Sequence, residues 1–154
     1  MNEKQKKECI DVLFELYPRF RKLMYEAFDK LEDDLTRTQQ IILLVLDIED
    51  NLSMSNLAYR ICTSNEQATR AVTQLVDKGL VNRAQNKTNR RVVNISLTQK
   101  AKDHVAAAKK AVMLDTSSRF GTSRLSDEEY QQFYDAIRTA VRFVYKVEEK
   151  KYNF

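Results

Sequence analysis

The chain has 154 residues and a mass of 18.0 kDa, enough for one domain with its own core and short for two. Its 2 Gly, 1 His and 2 Cys exclude a Gly-rich nucleotide turn, a multi-histidine metal site and a four-cysteine zinc cluster, and with a single Pro they disfavour a turn-rich all-β fold. The net charge of +4 is uneven: residues 51–102 hold nine basic residues against Glu66 and Asp77, a net of +7, whereas the remainder has 17 basic and 20 acidic residues, a net of −3.

The first segment spaces Ile10, Leu13, Tyr17, Phe20, Met24, Ala27 and Leu31 by alternating threes and fours, the stripe of an amphipathic helix, with Pro18 inside it as a point to kink or restart. Phe14, Leu16, Leu23 and Phe28 widen that stripe. Thr36-Arg-Thr-Gln39 opens a second helix to about Glu49, and its apolar run Ile41–Leu46 belongs in the middle of the fold. A short helix follows Ser53, from Met54 to Ile61. The turn Cys62-Thr63-Ser64 then leads into a helix over Asn65–Lys78, with Ser64 and Gln67 as a capping box and Gly79 as its left-handed C-cap. Two short helices joined by a tight turn make a helix-turn-helix, here without the glycine often found in the turn.

The period next changes from 3.6 to 2. Val93, Ile95 and Leu97 alternate with Val92, Asn94 and Ser96 as a half-buried strand, with Leu80–Gln85 as its antiparallel partner and Asn86-Lys87-Thr88-Asn89 as the loop. A hairpin directly after a helix-turn-helix is a winged helix. Thr98 caps another helix through about Ser117, and Ser126-Asp-Glu-Glu129 opens the last one. That last helix repeats the wide apolar face with Tyr130, Phe133, Ile137, Ala140, Val144 and Val147. The expected fold is mainly α with a small β-hairpin wing, a winged helix-turn-helix plus a helical dimerisation lobe. Within one domain, residues 1–34 and 118–154 are expected to form dimerisation helices. Residues 35–117 are expected to form the winged-helix lobe with its connecting helix. The excess apolar area at both ends suggests a two-fold homodimer, the alternative being packing within one chain.

Charge concentrated on one segment is the footprint of a polyanion binder, against the alternative of a solvated basic surface. On the Asn65–Lys78 helix, Ala68, Val72, Leu75 and Val76 form the expected buried stripe. Arg70, Thr73, Gln74 and Asp77 point away from it, with Ser64, Asn65, Gln67 and Thr69 near the N-terminal end. A recognition helix reads base edges mainly with that end. Arg70 suits guanine O6 and N7, and Gln67 or Asn65 suits adenine N6 and N7. In the wing, Lys87, Asn89, Arg90 and Arg91 sit at or beside the tip, where arginine is drawn to a narrow minor groove. Lys100 and Lys102 are placed for phosphates. The alternative for these charges is an edge that deters strand pairing.

These residues resemble the MarR family of bacterial transcription regulators. The matching features are Leu35-Thr36-x-x-Gln39, Leu57-Ala58, Thr69-Arg70, Leu75-x-x-x-Gly79-Leu80-Val81-x-Arg83 and Asn89-Arg90-Arg91-Val92-Val93-Asn94-Ile95-Ser96-Leu97-Thr98. In the family the wing carries Asp-x-Arg; here Asn89 stands in for the Asp and Arg91 for the wing arginine. The resemblance implies a dimer on pseudo-palindromic operators in double-stranded DNA, usually a repressor, released by a small-molecule effector or by thiol oxidation.

Other features carry less. Cys9 and Cys62 are either buried reduced thiols or oxidation sensors, and His104 is expected on a helix surface near the basic patch. Tyr17, Arg19 and Phe20 are either core or the wall of a ligand pocket, and Asp33-Asp34 are helix-end charges. No nucleophile–base pair is recognisable, so the chain is not read as an enzyme, and no cofactor or metal is expected. The rival functions are an enzyme acting on a small phenolic substrate and a winged-helix adaptor for an acidic protein. The charged N-terminus lacks the apolar core of a signal peptide, and no apolar run approaches the ~20 residues of a membrane span, so a cytoplasmic protein is expected.

Overall fold

A computed structural model describes residues 2–29, 34–85, 92–119 and 126–149. Leu31 and Asp33 of the first stretch, and the wing tip with Lys87, Asn89, Arg90 and Arg91, lie outside them. The elements run α1 (Glu3–Asp29), α2 (Arg37–Ile48), β1 (Leu52–Ser53), α3 (Met54–Arg60), α4 (Asn65–Asp77), β2 (Val81–Gln85), β3 (Val93–Leu97), α5 (Gln99–Arg119) and α6 (Asp127–Glu149). The chain divides into two compact units, 1–113 and 114–154.

In the first unit, α2 begins at a full capping box. The Thr36 hydroxyl accepts from the Gln39 amide at 3.3 Å, and Gln39 Oε1 accepts from the Thr36 amide at 2.9 Å. Ile42, Leu43 and Leu46 of α2 are buried and Ile41, Leu44 and Val45 half-buried, so the apolar run lies at the centre as its sequence requires. Around it pack Leu57 of α3, Val72 and Leu75 of α4, Val81 of β2, Ile95 and Leu97 of β3, and Ala101 and Val105 of α5. Burial of such side chains contributes about 25 cal/mol per Å² of apolar surface removed from water, the main force holding this unit together.

The sheet has the order β1-β3-β2, antiparallel throughout. Val81 pairs with Leu97 and Gln85 with Val93, which fixes the hairpin. Ile95 and Leu97 are buried and Val93 half-buried, as the alternation predicts. The two-residue strand β1, with Leu52 opposite Ile95, is an addition too short to leave a periodic signal.

Helix α1 runs through Pro18 as one element rather than restarting there. Ile10, Leu13, Phe14, Tyr17 and Phe20 of its stripe are exposed, and only near its end does Phe28 become buried. Arg37 joins the start of α2 to α1, ion-paired with Asp29 and lying 4.6 Å from the Tyr25 ring centroid. Within the same unit, Phe28, Gln40, Leu43, Leu44, His104, Val105 and Ala108 line a small groove, so His104 is a half-buried groove residue rather than a surface one.

In the second unit, Ser126 and Glu129 form the expected capping box, at 3.2 and 2.7 Å, and α6 starts with three acids that favour a helix N-terminus. Along α6, Tyr130, Phe133, Tyr134, Val141, Phe143, Val144 and Val147 are exposed.

Candidate nucleic-acid interface

Helix α4 is framed at both ends by hydrogen-bonded caps. At its start the Ser64 hydroxyl accepts from the Gln67 amide at 3.2 Å. The second half of the expected capping box is replaced: Gln67 Oε1 accepts from the Thr63 hydroxyl at 2.5 Å. At its end Gly79, with φ +68°, donates to the Val76 carbonyl and Leu80 donates to the Leu75 carbonyl, both at 2.9 Å. These two bonds are a Schellman motif. Lys100 Nζ donates to the Lys78 carbonyl at 3.0 Å, and the Thr98 hydroxyl to the Gly79 carbonyl at 2.9 Å. Two further C-terminal carbonyls are thereby satisfied, and a cation sits at the negative end of the helix dipole.

The turn between α3 and α4 uses the same geometry without glycine. Cys62 takes φ +53° and donates to the Tyr59 carbonyl at 3.1 Å, while Thr63 donates to the Ala58 carbonyl at 3.0 Å. Cys62 therefore occupies the left-handed position that glycine usually fills. Both cysteines are free and exposed in this chain, against the expectation of burial.

The buried face of α4 is Ala68, Ala71, Val72 and Leu75, with Val76 half-buried. At 100° per residue the opposite direction carries Glu66, Arg70, Thr73 and Asp77, all exposed. Arg70 is ion-paired with Glu66 at 2.5 Å. The Thr69 hydroxyl donates to the Asn65 carbonyl at 2.7 Å, and that of Thr73 to the Thr69 carbonyl at 2.8 Å. Arg83 of β2 reaches the Thr73 hydroxyl with Nη1 at 3.3 Å, tying the wing strand to α4. Asn65 is exposed at the first helical position.

Gln74 is held differently. Gln39, only 2% exposed, donates from Nε2 to Gln74 Oε1 at 2.7 Å. The polarity of this link is set at its far end, because the Thr36 backbone amide can only donate. Gln39 Oε1 must therefore face Thr36, its Nε2 must face Gln74, and Gln74 must present its oxygen inward. Among the described residues, the amide nitrogen of Gln74 has no further partner.

The MarR family model matches residues 35–93. The HTH-type transcriptional repressor MdtR of Bacillus subtilis (strain 168) is 29% identical over 126 residues, which cover 79% of this chain and 78% of MdtR. The HTH-type transcriptional regulator SarZ of Staphylococcus saprophyticus is 35% identical over 72 residues, 47% of this chain and 49% of SarZ. Residues 35–93 of this chain are thus similar to the MarR family. The fold agrees: the structure of a MarR family protein from Bacillus stearothermophilus matches with a TM-score of 0.74 at 22% identity, covering 94% of this chain and 98% of that one.

On this winged-helix scaffold, the sequence-predicted residues Ser64, Asn65, Gln67, Thr69, Arg70, Thr73 and Gln74 all fall on α4 or its N-cap. Arg70 and Asn65 project from it, whereas Ser64, Gln67, Thr73 and Gln74 also serve the helix and its neighbours. Two residues escaped the sequence reading. Arg83 enters it only as charge and as the last residue of a family-like motif, although its place on the wing strand beside α4 follows from the hairpin register. Glu66 was counted only as opposing charge, although its spacing of four from Arg70 already placed both on one face.

Proposed function

We propose that this chain is a DNA-binding transcription regulator that acts as a homodimer, as a repressor, on a pseudo-palindromic operator. The observation that carries this reading is the exposed polar face of α4, framed by caps and joined through Arg83 to a hairpin, within a segment (residues 51–102) of net charge +7. Its N-terminal half is shaped to enter the major groove, and the wing residues Lys87, Asn89, Arg90 and Arg91 are assigned to the adjacent minor groove. The two curated relatives are named as transcriptional regulators, which disfavours the enzyme and adaptor readings.

The dimer is assigned to α1 and α6, the helices with exposed apolar faces. Phe14 of α1 is 78% exposed and Phe143 of α6 is 63% exposed in the single chain. Such faces mark association surfaces. Two-fold symmetry then places half-sites about 10–10.5 bp apart, one turn of DNA. A small-molecule effector of unidentified chemistry is part of the proposal. The regulator is assigned to the cytoplasm, where its DNA is. No helix among the described residues is long and apolar enough to cross a membrane.

Binding isotherms on duplexes from the DNA flanking the coding region, against random duplex at several salt concentrations, test this reading. Specific binding should prefer one palindromic segment and lose affinity steeply with salt, with a slope set by the number of phosphates neutralised. Equal binding to every duplex, or binding that ignores salt, would overturn it.

A further inference from the structure

We propose that Glu66 is a specificity-determining residue, reading the N4 amino group of a cytosine beside the guanine read by Arg70. This rests on the proposed function, in which α4 lies in the major groove.

Glu66 occupies the second position of α4, in the half of a recognition helix that approaches base edges, and points directly away from the buried face. It does not cap the helix: the Gln67 amide is already taken by the Ser64 hydroxyl. Its partner is Arg70, one turn along. The two side chains are 73% and 74% exposed. An ion pair this open, four residues apart on a helix, is screened by water and does little for the fold. It can therefore be exchanged for base contacts at small cost.

A carboxylate at the centre of a DNA-facing surface works against binding to any phosphate backbone. The helix dipole favours an acid in this first turn, and a base edge that donates to it would offset the cost on DNA. A carboxylate is acceptor-only, and cytosine offers the N4 donor in the major groove, whereas thymine at that place presents the O4 acceptor and its methyl group. Arg70 is donor-only and suits the two guanine acceptors O6 and N7. Residues four apart on a helix lie about 5–6 Å from each other, close enough for two neighbouring base pairs to be read together. Until DNA arrives, each side chain holds the other extended over the same face. Where thymine or guanine takes the place of cytosine, Glu66 meets acceptors and repels, and adenine offers its N6 donor only beside the N7 acceptor, so discrimination comes from rejection as well as attraction.

The test uses the full-length protein and its Glu66→Ala and Glu66→Gln variants. Affinities are measured on the preferred operator, on each single-base-pair substitution of it, and on scrambled duplex. Glu66→Ala should bind scrambled duplex several-fold more tightly than wild type. Its operator-to-scrambled ratio should fall about tenfold, with the preference lost at one C·G position per half-site. Glu66→Gln, whose amide both donates and accepts, should shift that same position toward adenine. Circular dichroism should show the same helix content in all three proteins.

A uniform change across every duplex, or an unchanged position profile, would overturn the role of Glu66 while leaving the regulator reading intact. A wild-type protein without preference for any duplex would overturn both.

Discussion

The recognition helix is preceded and followed by the same backbone device, built once with glycine and once without, and reciprocal substitutions should change stability in opposite directions. Gly79 holds φ +68° and Cys62 holds φ +53°, each at the left-handed position of a Schellman cap. An L-residue in that region costs roughly 1–2 kcal/mol, offset by roughly 0.4–1 kcal/mol because glycine loses more freedom on folding. A Cβ placed on Gly79 would meet no atom within 4 Å, so its substitution tests the backbone alone. Gly79→Ala should therefore destabilise by about 0.5–1 kcal/mol and Cys62→Gly should stabilise by about the same. Cys62→Ala keeps an L-residue at that φ and should stay near neutral, which separates the backbone from the thiol. Urea unfolding followed by circular dichroism reads these as midpoint shifts of a few tenths molar at unchanged slope. A neutral Gly79→Ala, or a Cys62→Gly protein less stable than wild type, would refute the reasoning.

The link between Gln39 and Gln74 should also be measurable. Gln39→Leu removes both side-chain bonds of a buried group and should cost about 1–2 kcal/mol in urea unfolding. A double-mutant cycle with Gln74→Leu should return a coupling of about 0.5–1.5 kcal/mol, and additive single effects would show the link to be idle. Phe14→Glu combined with Phe143→Glu should leave helix content unchanged, because both side chains are exposed in the single chain. The pair should nevertheless halve the mass seen by analytical ultracentrifugation, and an unchanged mass would place the dimer contact elsewhere.

Much of this fold is legible in the sequence because its signals are local. Thr36 with Gln39, Ser126 with Glu129, and Gly79 after α4 are cap patterns written within a few residues, and each forms. The switch from period 3.6 to period 2 finds the hairpin for the same reason. What escaped depends on distance or on substitution of role. Gln39 and Gln74 are 35 residues apart and meet only after α2 and α4 pack. Cys62 hides a glycine position behind a side chain that signals nothing about backbone conformation. Strand β1 is two residues long and owes its pairing to β3. His104 reads as a surface residue from its polarity, yet it lies three residues after Ala101 and four before Ala108, at the edge of the buried side of α5, where it lines the groove with Phe28 and α2.

The central claim is that α4 reads bases in the major groove while the wing grips the adjacent minor groove without choosing sequence. It is tested most directly by equilibrium binding of wild type, Arg70→Ala and Arg91→Ala to operator and scrambled duplex over a salt series. The account expects Arg91→Ala to weaken both duplexes alike and to lower the salt slope by about one. Arg70→Ala should mainly erode the preference for operator, by a factor corresponding to roughly 1–3 kcal/mol. Wild-type behaviour from both variants on both duplexes would contradict it.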